Sequence, residues 1–370
     1  MGIKLAKQVG RVPYKRIELS EAEEERVERI KAKALSIDMH AHPIVLPEDL
    51  RDLDAYFDGL RLEIGYEGLR AGGVDACCFA VGLGRMHRIP FAYEDVVAEL
   101  GMLLANIHRH PDVARLALRA EDIRAAKAEG KIAFIPALES ATCVWERLDR
   151  IDVFYGLGVR AMGLTYTTRN LFGDGQAERA DCGLSRFGLE AIGRMNELGI
   201  LIDLSHAGPR TALEAIEASR DPVAITHAGA RALQPTVRMK PDEEIKALAE
   251  RGGVIGIEAA PNTLSSGPRM SIEDLLNHVD YCVGLVGADH VGIGTDTLFG
   301  DHVGLHGVIL ERIGMKGLIP GGTQGYVEGI ESPAEWENVI RGLVKRGYSD
   351  SEIEKIIGGN FLRLLERVVG

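Results

Sequence analysis

Eight short apolar runs that alternate with helix-like segments constrain this chain more than any other feature. The runs lie at 36–38 (SID), 74–81 (VDACCFAV), 132–138 (IAFIPAL), 158–164 (GVRAMGL), 200–204 (ILIDL), 223–226 (VAIT), 253–258 (GVIGIE) and 290–294 (HVGIG). Helical patterns occupy 94–107, 121–129, 188–198, 209–219, 242–251 and 272–286. Such alternation predicts an α/β fold of β-α units around a parallel sheet. The near-continuous apolarity of the runs predicts strands buried on both faces. A count of eight favours a closed (β/α)8 TIM barrel over an open doubly wound sheet. No G-x-G-x-x-G follows the first run, which removes the main argument for a dinucleotide fold.

The length of 370 residues suits one large barrel with insertions. Residues 1–35 read as an N-terminal helical extension, with a charged amphipathic helix over 19–35 opened by a Ser20 cap. Residues 36–370 read as a single barrel domain ending in two helices at 333–347 and 351–368. The Gly-rich stretch 299–326 reads as a long loop.

Composition excludes several classes. A net charge of −12 argues against a nucleic-acid partner, whose footprint would be a basic patch. No run reaches ~18 apolar residues, so no membrane span is expected. The first residues show no signal-peptide core, and Ala6 stands where a myristoylation signal needs Ser or Thr. Five scattered cysteines, Cys77, Cys78, Cys143, Cys182 and Cys282, form no C-x-x-C and no disulfide framework, which points to a reducing, cytoplasmic setting.

In a barrel the C-terminal strand ends converge on one face, where chemistry sits. The first run leads into Asp38, His40 and His42, in DMHAHP; the third into Glu139, in PALES; the fifth into His206, in IDLSH; the sixth into His227, in AITH; the eighth into Asp296, in GIGTD. The H-x-H alone reads equally as a metal site or as two polar loop residues. The four histidines, with Glu139 and Asp296, at corresponding ends of five strands are the ligand types of zinc and similar ions. Five ligands suffice for two metals ~3.5–4 Å apart with one carboxylate between them. The remaining histidines act as controls. His108 and His110 sit at the end of a helical run before Pro111, where a helix terminus explains them. His278 lies in a helix, His87 in a loop and His290 at the far end of the last run; His302 and His306 read as loop residues within reach of the site.

The ordered set DMHAHP, ALES, LTYTTRNLFGDG, MNELGILIDLSHAG, PVAITHAGARAL with VRMKPDEEIKALAERGGVIGI, HVGIGTD and GGNFLRLLERV resembles the membrane (renal) dipeptidase family of metallopeptidases, within the amidohydrolase superfamily. The chain reads as a divergent, bacterial-type member. The resemblance implies a (β/α)8 barrel with a two-zinc centre: His40, His42 and Glu139 on one metal, Glu139, His206 and His227 on the other, with Glu139 bridging. It also implies a dipeptide substrate, with a D-residue accepted at the C-terminal position, and a homodimer. Three positions depart from the best-known members. His42 replaces an aspartate, Tyr166 stands where a substrate-contacting histidine is expected, and Ala259 and Ala260 lack a pocket aromatic.

The mechanism expected on this reading is attack by a hydroxide bridging two metals, with Asp296 shuttling the proton to the leaving amine. Arg238, in VRMKPD, would hold the substrate carboxylate, since a guanidinium fork matches that group. Tyr166 would contact the substrate, with Asn170 and Asp174 weaker candidates on the same loop. Asp38 and Asp203 would orient ligands. The alternatives are a related hydrolase of N-acyl amino acids, cyclic amides, lactones or phosphoesters, and a barrel without turnover.

Overall fold

In the computed structural model, which describes residues 2–59, 62–82, 91–267, 269–312 and 325–370, all eight expected strands form. They are β1 (Ile37–Val45), β2 (Ala76–Val81), β3 (Ile132–Leu138), β4 (Ala161–Gly163), β5 (Leu201–Asp203), β6 (Ala224–Ala228), β7 (Val254–Ile257) and β8 (Val291–Ile293). Each pairs in parallel with the next, running β8-β7-β6-β5-β4-β3-β2-β1. Every strand residue is buried, as the apolar runs required.

The ring closes because the chain leaving β8 runs back onto β1. Asp296 N donates to the His40 carbonyl at 2.8 Å and His42 N donates to the Thr297 carbonyl at 2.9 Å. The two-residue strand Leu298–Phe299 then pairs with β1. Gly294 permits this approach, because a Cβ there would lie 1.9 Å from the Thr226 carbonyl oxygen.

The bottom of the barrel is plugged by the C-terminal helix Asn360–Val368. Its Phe361, Leu364, Leu365 and Val368 pack with Ile37, Ala76, Ala133, Leu201, Ala224 and Val254 from six strands. Gly358 lets that helix seat, since a Cβ would meet the Leu35 carbonyl at 2.3 Å. Chemistry is thereby confined to the opposite end.

The six expected helices appear as Tyr93–Arg109, Ala120–Ala128, Arg186–Leu198, Pro209–Ala218, Asp242–Glu250 and Ile272–Val286. The helix Asp149–Gly156 escaped the sequence reading; it is only eight residues long, too short for a clear 3.6-residue period. The stretch read as a loop from 299 holds a helix at His302–Arg312. Its glycines at 304 and 307 masked the pattern. The rest of that stretch up to 324, like His87, lies outside the described residues.

The N-terminal helix Glu21–Lys33 opens with a capping box between Ser20 and Glu23. It is tied to the helix Glu337–Lys345 by Lys31–Glu337 at 2.6 Å and by the buried Arg341, whose Nη1 donates to Glu24 at 2.6 Å. Ahead of it, Glu331 accepts from the backbone N–H groups of Gly10, Arg11 and Val12. The Glu331 N–H in turn donates to Glu335 Oε2 at 2.7 Å.

Burial pushes the Glu335 carboxyl up from its ordinary 4.5 to about 7, with the Glu331 charge adding to the rise. A folded-state value above the unfolded one means that folding favours the protonated form. That stability is complete below pH ~4.5 and is lost as pH rises through ~7. Glu335→Gln should therefore raise stability at pH 8 by on the order of 1 kcal/mol and leave it nearly unchanged at pH 4.5. Urea unfolding at the two pH values checks this; equal effects at both would show that Glu335 does not titrate with folding.

Candidate metal centre

Strand geometry alone brings the first ligands together. Side chains two apart on a strand share a face, so β1 turns Asp38, His40 and His42 the same way. Glu139 follows β3 directly, His206 lies just beyond β5, His227 sits in β6, and Asp296 lies just beyond β8. All seven of these residues are at least nine-tenths buried.

Glu139 is the centre of the cluster. Its Oε2 lies 2.9 Å from His40 Nε2 and 3.4 Å from His42 Nε2. Its Oε1 lies 3.0 Å from His206 Nε2 and 3.6 Å from His227 Nε2. Within each pair the Nε2 atoms face each other, at 3.3 Å for His40 and His42 and 3.1 Å for His206 and His227. Two three-residue groups with converging ligand atoms result, both containing Glu139. Asp296 Oδ1 stands 3.4 Å from His42 Nε2 and 3.8 Å from His40 Nε2. Asp296 adopts φ +51°, a left-handed conformation tolerated by aspartate and concentrated at functional sites.

The tautomers say what this arrangement needs. His42 Nδ1 donates to the Ala80 carbonyl at 2.9 Å, which leaves Nε2 as a lone pair. Thr226 donates to Asp203 Oδ2 at 2.6 Å, so its oxygen is free to accept from His227 Nδ1 at 2.9 Å; His227 Nε2 is then also a lone pair. The Gln176 side-chain amide lies 3.3 Å from His206 Nδ1. These lone pairs point at a carboxylate whose Oε2 is buried without an aligned hydrogen bond. Lone pairs gathered against a carboxylate call for a cation, and imidazole with carboxylate is the donor set of zinc and similar divalent ions.

The electrostatics agree. Burial opposes charge on His40, but Glu139, Asp296 and Asp203 override it and raise the imidazole to about 9. His227 falls to about 3 under burial and the nearness of His40 and Arg238. Burial also opposes ionisation of Glu139 and Asp296, yet the surrounding histidines hold both well below the usual carboxylate range.

A third grouping, His40, Asp203 and His227, also converges. Asp203 is already committed, however. It accepts from Ser205 Oγ at 2.5 Å, from Thr226 Oγ1 at 2.6 Å and from the N–H groups of both residues at 3.0 Å. Asp203 therefore orients β5, β6 and the ring of His227. Asp38 acts likewise: it accepts from Thr295 N and Oγ1 at 2.9 and 2.7 Å and from His40 N at 3.2 Å, joining β1 to the segment after β8.

A pocket opens over the cluster, lined by His42, Glu139, His206 and Asp296 below and by Tyr166, Val237, Arg238, Ala260, Ile309 and Leu310 around it. The Tyr166 ring lies against His206 with centroids 4.4 Å apart, and burial keeps its phenol protonated. Arg238 is on the wall, but its donors are engaged. Nη1 donates to the Ser205 carbonyl at 2.9 Å, Nη2 donates to the His227 carbonyl at 2.6 Å, and Nη2 lies 2.5 Å from Glu258 Oε2. Asn170 stays outside: its amide donates to Thr142 Oγ1 and the Leu164 carbonyl. Asp174 also stays outside, paired with Arg169 and accepting from Cys182 N.

Sequence reasoning passed over Glu258 and Gln176, whereas His306, read as a loop residue within reach of the site, lines the pocket from a helix. Glu258 carried a signal, since it ends the seventh run as Glu139 follows the third. Gln176 carried none, because it reaches the site from a long loop beyond its strand. Of the controls, His110 Nδ1 bonds the Asn106 carbonyl at its helix end, and His278 accepts from Ala230 N.

The sequence profile of the membrane dipeptidase family, peptidase family M19, matches residues 24–311. The dipeptidase tcpJ of Claviceps purpurea (strain 20.1) is 27% identical over 277 residues, covering 74% of this chain; the chain spans 60% of that relative's length. Among solved structures, an amidohydrolase from Pseudomonas aeruginosa superposes with a TM-score of 0.79 at 29% identity, covering 92% of this chain and 98% of its own. A metallopeptidase from Rhodobacter sphaeroides, solved with a phosphinate mimic of the dipeptide L-Ala-D-Ala, shares the fold at a TM-score of 0.73 and 22% identity, covering 90% and 99%. Matching this profile over most of its length, the chain belongs to the membrane dipeptidase family.

Proposed function

We propose that this protein is a zinc-dependent dipeptidase with a binuclear centre. The observation that carries the reading is the division of Glu139 between two histidine pairs, one facing each carboxylate oxygen. His40, His42 and Glu139 would hold one ion, and Glu139, His206 and His227 the other. When bound, such a pair supplies a water ionised near neutral pH and a Lewis acid for the scissile carbonyl.

The chain's own residues do the rest. Asp296, at the rim of the cluster, takes the proton from the attacking water on its carboxylate and returns it to the leaving amine. Tyr166 stays protonated and offers its hydroxyl to the substrate. Arg238 meets the end of the substrate away from the metals. The apolar wall of Val237, Ala260, Ile309 and Leu310 sheds water from the remainder. The dipeptide mimic of the Rhodobacter relative supports a dipeptide-sized substrate and a D-residue at its C-terminal position. Free cysteines support a reducing cytoplasmic setting, and family resemblance supports a homodimer.

A metal-reconstituted assay over L-L and L-D dipeptides and N-acyl amino acids tests the reading; hydrolysis confined to the N-acyl compounds would sink it. His206→Ala should cost at least ~10³-fold in kcat and release metal. Asp296→Asn should cost ~10²–10⁴-fold with full metal content. Metal analysis beside steady-state kinetics separates the two, and near-native turnover in either variant removes that residue from the mechanism. Asp203→Ala should weaken metal affinity roughly 10–100-fold. Competition with a chelating indicator measures it, and unchanged affinity would show that the Asp203–Thr226–His227 chain does not orient the ligand.

A further inference from the structure

One carboxylate on the catalytic face has no part in the scheme above. Glu258 follows β7 at the level where Glu139 follows β3, and it is wholly buried. Its close charged neighbour is Arg238, with Nη2–Oε2 at 2.5 Å. Among the described residues, Arg238 is the one Lys or Arg side chain lining the pocket. Its Nη1 and Nη2 also donate to the Ser205 and His227 carbonyls. Burial pushes the Glu258 carboxyl up to about 7 against the pull of Arg238, so above that pH the guanidinium that faces the substrate is charge-compensated before any substrate arrives.

That compensation has a consequence for recognition. A substrate carboxylate brought to Arg238 would sit within a few ångströms of the Glu258 charge, where little water is present to screen the repulsion. A neutral carbonyl accepting from the same guanidinium would not meet that repulsion. Discrimination often depends on such a built-in penalty against the unwanted group as much as on contacts with the wanted one. The pocket wall points the same way: Val237, Ala260, Ile309 and Leu310, which line the same pocket as Arg238, suit an uncharged end better than an ionised one.

We infer that Glu258 is a specificity-determining residue. By neutralising Arg238 it disfavours a free C-terminal carboxylate and favours dipeptide-sized substrates whose end at Arg238 is uncharged, such as a carboxamide, an ester or a ring-closed amide. The inference rests on the dipeptidase reading and narrows its substrate class.

The test compares L-leucyl-L-alanine with L-leucyl-L-alaninamide on the metal-loaded protein and on Glu258→Gln. Affinities for the same pair with the scissile amide reduced to CH2–NH are measured by calorimetry. The wild type should favour the amide at least tenfold in kcat/KM. Glu258→Gln, which removes the competing charge and keeps the shape, should shift the acid-to-amide ratio at least tenfold toward the acid. A wild type that favours the acid, or a variant ratio within twofold of wild type, overturns the inference and leaves the dipeptidase reading intact. Should the variant fail to fold, the wild-type preference decides alone. Should neither compound be cleaved, the dipeptidase reading falls, and the calorimetric acid-to-amide ratio still decides the role of Glu258.

Discussion

A single buried carboxylate organises this molecule. Glu139 presents one oxygen to His40 and His42 and the other to His206 and His227. No packing of the apolar core would by itself place four imidazoles about one acid, because each group loses hydration on burial. The cluster stands because the Nδ1 atoms of His42 and His227 are held by the Ala80 carbonyl and Thr226, which turns their Nε2 lone pairs inward. Such a constellation is built for a cation. The rest of the barrel serves to keep its five side chains in register.

That register depends on buried aspartates that never meet the substrate. Asp203 ties the loop after β5 to β6 through four hydrogen bonds. Asp38 ties β1 to the segment after β8 at the seam where the barrel closes. The seam is also where Asp296 is delivered, its backbone N–H bonded to the His40 carbonyl. Barrel closure and the placement of the proposed proton shuttle are thus one structural event. Lys240 adds to this frame: buried and paired with Glu244 at 2.9 Å, it donates to the carbonyls of Leu204 and Ala207 on either side of His206.

The departures noted in the sequence acquire physical meaning here. His42, in place of an aspartate, keeps a lone pair on the cluster because the Ala80 carbonyl takes its other nitrogen. Tyr166 lies against His206, the two rings tilted by 34° with centroids 4.4 Å apart. The small residues Ala259 and Ala260 leave an open, largely apolar pocket, and the helix His302–Arg312 fills one side of it with His306, Ile309 and Leu310. The pair Arg238–Glu258 then sets the electrical character of the wall.

Much of this was legible in the sequence, for local reasons. An apolar run marks a strand buried on both faces, and the first polar residues after it mark the catalytic end; both signals lie within a few residues. They sufficed for eight strands and for the meeting of His40, His42, Glu139, His206, His227 and Asp296 at one end of the barrel, with Asp38 and Asp203 hydrogen-bonded beneath them. Asn170 and Asp174 were drawn in by their loop, but that loop folds on itself and spends them on Thr142, Leu164, Arg169 and Cys182. The helix at His302–Arg312 was hidden by its glycines. What the chain's order of residues determined by itself was the number of strands and the identity of the groups at their ends, because burial and strand periodicity are properties of short segments. Only the tertiary structure decided which Glu139 oxygen each histidine pair faces, that Asp203 is spent on hydroxyls, and that Arg238 is already matched by Glu258. Each of those facts is a distance between residues far apart in the chain, and it exists only once the barrel has closed.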